Sequence, residues 1–166
     1  MRAGQFRRAA TLGALVVILA AHSYVYAQIN TTTPPAGSAL TIPEAQLIQP
    51  AELNQILQVK GADKPLVLQV GSHVLFAEAH IAGSEYVGAG SQAAGLKQLQ
   101  NRVAPLMRET LIVLYCGCCP WNRCPNIEPA FKLLTNLGFT HVRVLYVAKD
   151  LGTDWVDKGY PVERGR

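Results

Sequence analysis

Apolar residues fall along this chain in two patterns. Leu66-Val67-Leu68-Gln69-Val70, Leu111-Ile112-Val113-Leu114-Tyr115 and Val142-Arg143-Val144-Leu145-Tyr146 are short, nearly continuous apolar runs. Runs this short that do not alternate predict strands buried on both faces. Elsewhere the apolar residues recur every three or four positions. Leu53, Ile56 and Leu57 do so after Pro50, and Ile127, Ala130, Phe131 and Leu134 do so later. Each set falls on one side of a helix, and Pro is tolerated in a first helical turn. Residues 74–79 predict a further short helix. Gly138-Phe139 supplies a C-cap glycine with a trailing apolar contact. Strands alternating with helices predict an α/β domain whose central, mainly parallel sheet is covered on both faces. No internal repeat is present.

The first 27 residues follow neither pattern. Arg7-Arg8 precedes an apolar run, residues 9–21, which ends near Val25-Tyr26-Ala27. A basic start, a short apolar centre and small residues at the cut positions predict a secretory signal peptide over residues 1–27. The apolar run is shorter than the roughly 20 residues a spanning helix needs, so a membrane is a partner only if the segment stays uncleaved. A periplasmic or secreted location follows. Residues 28–43, with Thr31-Thr32-Thr33-Pro34-Pro35 and Gly37-Ser38, read as a flexible linker. The domain is expected over residues 44–166.

The leader also accounts for most of the charge. The formal charge is +4, but Arg2, Arg7 and Arg8 lie within it; without them 12 Lys/Arg face 11 Asp/Glu. A near-neutral domain without a basic patch is a poor electrostatic partner for nucleic acid, which is excluded as a partner.

All four cysteines stand within Cys116-Gly117-Cys118-Cys119-Pro120-Trp121-Asn122-Arg123-Cys124. The run begins where a predicted strand ends and precedes a predicted helix. Sites in α/β sheets form at the carboxyl ends of strands. Loop N–H groups there attract an anion and favour the reactive thiolate. Gly117 permits unusual backbone angles beside the first cysteine, and Arg123 offers a fixed positive charge for an oxyanion.

At these residues the chain resembles the rhodanese family, over roughly residues 46–165. Ile48-Gln49-Pro50-Ala51-Glu52-Leu53 looks like the family's opening strand and helix. Leu66–Val70 followed by Phe76-Ala77-Glu78-Ala79-His80-Ile81-Ala82-Gly83-Ser84 looks like its strand and E-x-H-I-x-G-A signature. Ile112-Val113-Leu114-Tyr115-Cys116 looks like the strand that delivers the nucleophile. Leu137-Gly138-Phe139 with Val142–Leu145, and Trp155 through Gly159-Tyr160-Pro161-Val162, look like its closing segments. The resemblance implies a rhodanese-like three-layer α/β fold and sulfur transfer. Cys116 would be the catalytic nucleophile, taking a sulfane sulfur from thiosulfate or a persulfide and passing it to cyanide or a thiol. Gly117, Cys118, Cys119, Trp121, Asn122 and Arg123 would bind the substrate, with loop amides stabilising the persulfide anion. No cofactor is called for. The chain departs from the family in carrying Gln69-Val70-Gly71 where many members have Asp-x-Arg, in a longer loop, and in three additional cysteines.

Those cysteines leave three readings open: a structural disulfide or redox pair, resolving thiols beside Cys116, or ligands of a soft metal such as Cu(I) or Zn(II). C-x-C-C-x4-C is not the usual zinc spacing, and no metal ligand is assigned. The alternative to a sulfurtransferase is therefore a thiol redox or soft-metal-binding module on the same fold. A phosphatase or arsenate reductase relative is a weaker third, because Cys116-x6-Arg123 is one residue longer than C-x5-R. His80 is expected to make a structural hydrogen bond, Trp155 to pack in the core, and His73 and His141 to lie on the surface.

Overall fold

The computed structural model of the chain describes residues 41–61 and 64–165. The signal peptide expected over residues 1–27 and nearly all of the linker lie outside these residues. Among the described residues, no helix is long and apolar enough to cross a membrane.

The elements run in chain order as β1 (Leu47–Ile48), α1 (Pro50–Gln58), β2 (Leu66–Gln69), α2 (His73–Glu78), β3 (His80–Ile81) and β4 (Glu85–Tyr86). They continue as α3 (Ala93–Val103), β5 (Ile112–Tyr115), α4 (Ile127–Asn136), β6 (Val142–Leu145) and β7 (Val162–Glu163). Five strands form one sheet in the order β1-β6-β5-β2-β4, with every neighbouring pair parallel. A small antiparallel pair, β3 with β7, stands apart from it.

The apolar runs are continuous because each strand feeds two cores. Leu68, Ile112, Leu114 and Val144 pack on one face with Leu99 and Val103 of α3 and Ile127 and Leu134 of α4. Val67, Val113, Tyr115 and Leu145 pack on the other with Leu53 of α1, Ile81 and Trp155. Successive side chains point to opposite faces, so a strand covered on both sides is apolar at nearly every position; Gln69 of β2 and Arg143 of β6 are the exceptions. This is the predicted three-layer α/β arrangement with a parallel central sheet.

The apolar patterns left some elements out. Helix α3 was not predicted; its sequence, Ala-Ala-Gly-Leu-Lys-Gln-Leu-Gln-Asn-Arg-Val, is mostly polar, and it buries only Gly95, Leu99 and Val103. The two-residue strands β3, β4 and β7 are too short for any periodicity to reveal. Trp155 lies in a π-type turn, Gly152–Val156, is 1% exposed, and donates its indole N–H to the Pro161 carbonyl at 2.9 Å. His80 is buried with Nδ1 2.8 Å from the Phe76 carbonyl, while His73 and His141 are exposed.

Candidate functional site

The site begins where β5 ends. Alternation along that strand sends Ile112, Leu114 and then Cys116 toward the core under α3 and α4, while Tyr115 turns to the opposite face. There the Tyr115 hydroxyl pairs with Ser84 Oγ at 2.9 Å and accepts the Ile81 N–H at 3.3 Å. The last strand residue is thus anchored on one side as Cys116 is presented on the other.

Gly117, with φ +75°, turns the chain immediately after Cys116. The Gly117 carbonyl accepts the Leu151 N–H at 3.0 Å, and the Ala148 carbonyl accepts the Trp121 N–H at 3.3 Å. The cysteine loop is therefore tied to the loop that follows β6.

A second set of bonds ties the start of the loop to β2. Gln69, 2% exposed, accepts the Gly71 N–H at 3.1 Å and donates its amide to the Cys116 carbonyl at 3.0 Å. A Cβ at position 71 would stand 2.6 Å from that carbonyl oxygen and 3.0 Å from the Cys116 sulfur. The arginine that many rhodanese-like sequences carry at this point does not fit beside this loop path. Gln69 and Gly71 are matched to the loop that replaces it.

The four sulfurs lie close together. Cys116 Sγ is 3.0 Å from Cys118 Sγ, which is 3.4 Å from Cys119 Sγ. The sulfurs of Cys116, Cys119 and Cys124 all lie within 4.8 Å of one another. None of the four cysteines is in a disulfide. Asn126, buried just ahead of α4, donates its amide to Cys116 Sγ at 3.3 Å, while its carbonyl oxygen accepts the Ser91 N–H at 3.0 Å.

These surroundings favour the neutral thiols. The Cys118 thiol draws the Cys116 pKa down, but Cys124 and burial outweigh it and push Cys116 up to about 12. Cys118 is raised by its contact with Cys116 and then by burial, and Cys119 is raised by burial first and by Cys118 next. Apart from the Cys118 thiol and N–H, the donor facing the Cys116 sulfur is the neutral amide of Asn126. Such a donor orients a sulfur without supplying the charge that makes a cysteine reactive.

Cys116 and Cys118 also line an open cavity of about 280 Å³. Its walls include the apolar Leu75, Leu151 and Val156, and its charged lining residues are Glu78 and Asp150; neither Lys nor Arg takes part. Of the remaining residues predicted for the site, Gly117 lines the cavity, whereas Cys119, Trp121, Asn122 and Arg123 do not. Trp121 packs against Tyr146 with ring centroids 5.2 Å apart. Asn122 and Arg123 are exposed.

Of the residues that hold the cysteine loop, Gln69 and Gly71 stand out in the sequence as departures from Asp-x-Arg, whereas Asn126 carries no such signal. Asn126 stands at a helix-start position, where its residue type is common. Its side chain caps no N–H of α4 and is spent on Ser91 and the sulfurs instead.

The fold is that of rhodanese-like domains. Neither a family model nor a curated protein matches the sequence. Among solved structures, the rhodanese-like domain of the Alr3790 protein from Anabaena sp. matches with a TM-score of 0.52 and 21% identity, over 72% of this chain and 79% of that one. A crystal structure of the Alr3790 protein gives a TM-score of 0.55 at 21% identity, over 71% and 92% of the two chains. The BH2092 protein from Bacillus halodurans gives 0.54 at 22%, over 70% and 75%.

Proposed function

We propose that the cysteine loop is a thiolate site for a soft metal ion, with Cys116, Cys119 and Cys124 as its ligands. The observation that carries this reading is the convergence of those three sulfurs within 4.8 Å of one another. Metal–sulfur bonds of about 2.3 Å put the sulfurs around a tetrahedral ion roughly 3.8 Å apart. Small side-chain rotations are enough to close the group to that spacing. Thiolate ligands select Cu(I) and Zn(II), and a closed zinc site takes four ligands. Three sulfurs fit Cu(I) better.

A second reading, persulfide transfer, is favoured by the position of Cys116 at the end of β5 and on the lining of a cavity. In that reading the thiolate takes a sulfane sulfur from thiosulfate or a persulfide and yields it to cyanide or another thiol. Two carboxylates and no cation line the cavity, which disfavours an anionic donor. The basic, apolar and small-residue leader argues for export to the periplasm or the cell exterior in either case.

Titration of the reduced protein with Cu(I) against a coloured competing chelator tests the proposal. The expected result is one tightly held ion per chain. A protein that competes for neither Cu(I) nor Zn(II), but gains a cyanide-labile sulfur on Cys116 from thiosulfate, would overturn it in favour of sulfur transfer.

A further inference from the structure

The cavity separates the four cysteines into two kinds. Cys116 and Cys118 line it; Cys119 and Cys124 do not. The two that line it are also in contact, with sulfurs 3.0 Å apart across the turn at Gly117. Cys116 is 4% exposed, whereas Cys118 is only partly buried. An outer thiol, an inner thiol in contact with it and an open approach to both supply the geometry of thiol–disulfide exchange; the attacking species is the thiolate, so with thiols that rest neutral the exchange is slow at neutral pH and quickens as the pH rises.

We infer that Cys116 and Cys118 form a dithiol–disulfide couple that reduces a neutral or cationic disulfide entering the 280 Å³ cavity. The Cys118 sulfur, after losing its proton, attacks one sulfur of the substrate R–S–S–R. The substrate S–S bond breaks, a Cys118–S–S–R bond forms, and the first RS⁻ leaves and takes up a proton. The Cys116 sulfur then attacks Cys118 Sγ, closing the Cys116–Cys118 disulfide and releasing the second RS⁻, which is protonated in turn. Two electrons pass from the paired thiols to the substrate, which leaves as two thiols.

The lining of the cavity sets the substrate class. Leu75, Leu151 and Val156 suit a small apolar body, and the volume admits a low-molecular-weight disulfide or the side chain of a single cystine. Glu78 and Asp150, both exposed, are the charged groups in the lining. Their field attracts a cationic disulfide and repels a carboxylate-bearing one. Charge focusing in a cleft changes association rates tenfold or more.

The couple goes beyond the metal reading and is tested without it, on reduced protein held in a chelator. The protein is mixed with cystamine, with 2-hydroxyethyl disulfide and with 3,3′-dithiodipropionate, and the products are mapped by mass spectrometry. The expected product is a Cys116–Cys118 disulfide, formed about tenfold faster or more from cystamine than from the dicarboxylate. Glu78→Gln should narrow that difference. Because Cys119 Sγ lies 3.4 Å from Cys118 Sγ, Cys116→Ser combined with Cys119→Ser should stop the reaction at a mixed disulfide on Cys118. A disulfide in the wild-type protein that maps to any other pair, or no oxidation by any of the three, would overturn the proposal. Since no metal is present, these outcomes do not depend on whether the protein binds one.

Discussion

Asn126 holds the Cys116 sulfur from the far side of the loop, its amide nitrogen 3.3 Å from Sγ, while its oxygen is fixed by the Ser91 N–H at 3.0 Å. One buried side chain thus joins the segment leading into α3, the cysteine loop and the start of α4. Asn126→Ala would leave the Ser91 N–H without its partner and the sulfur without its donor. The expected loss is about 1–3 kcal/mol of stability and roughly 10–100-fold in metal affinity, as for other groups that orient a ligand. Asn126→Asp keeps an acceptor for Ser91 but buries a carboxylate against the sulfur, so it should lose affinity and recover stability only at low pH, where the carboxyl is protonated. Denaturant unfolding and chelator competition on both variants separate the two effects.

Gly71 marks how closely the loop lies against β2. A Cβ there would press on the Cys116 backbone at 2.6 Å, and a backbone atom cannot swing aside. Gly71→Ala is expected to cost about 1–3 kcal/mol, as other overpacking substitutions do, and to shift Cys116 enough to weaken metal binding. Gly71→Arg, which places the arginine of many rhodanese-like sequences in this chain, should be worse. A Gly71→Arg protein as stable as the wild type would show that the loop follows another path.

The fold was legible because its three central strands are covered on both faces and therefore almost wholly apolar, with only Gln69 in β2 and Arg143 in β6 as exceptions. The edge of the sheet was not: β4 is Glu85-Tyr86, and α3 hides its few buried residues among Gln, Lys, Asn and Arg. The position of Cys116 followed from the end of β5. What spacing along the chain could not convey is which sulfurs meet. Cys124, eight residues from Cys116, reaches the same cluster, while Arg123 beside it faces solvent. That division depends on the 3₁₀ turn Trp121–Arg123 and on the tie from Trp121 to Ala148. Gln69 stands where many rhodanese-like sequences have an acid and can still hydrogen-bond without charge; in the fold it makes two bonds that need both a donor and an acceptor on one side chain, which a carboxylate lacks.

The Glu85–Arg102 pair gives the acid limb of the stability profile a testable sign. Arg102 Nε and Nη2 reach the two Glu85 oxygens at 2.6 and 2.8 Å, linking β4 to α3. Hydrogen bonding to Arg102 holds the Glu85 carboxyl below its ordinary value, against a smaller opposing effect of burial. Because the folded-state pKa is the lower one, the contribution is present above the unfolded value. It is lost as pH falls through the folded one. Both side chains are about a third or more exposed, so solvent screening limits the effect to about 1 kcal/mol or less. Glu85→Gln should flatten that part of the acid limb, and unfolding measured between pH 3 and pH 6 checks it.

The metal reading ranks the cysteines. If Cys116, Cys119 and Cys124 supply the ligands, replacing any one by Ser removes a third of the coordination. Binding energies of about 10–16 kcal/mol for a thiolate-rich site imply a loss on the order of a thousandfold per ligand. Cys118 is close to both Cys116 and Cys119 but lies outside the converging trio. Cys118→Ser should therefore cost no more than about tenfold, the lower range of a group that only orients ligands. Arg123 is exposed and absent from the cavity lining, so Arg123→Ala should leave affinity unchanged within a few-fold. Chelator competition with Cu(I) across the five variants and the wild type gives the order directly. Equal losses at Cys118 and Cys124 would point to a four-sulfur site, and with it to Zn(II) rather than Cu(I). A large loss at Arg123 would mean that the loop closes over the ion in a way that brings the guanidinium to the site.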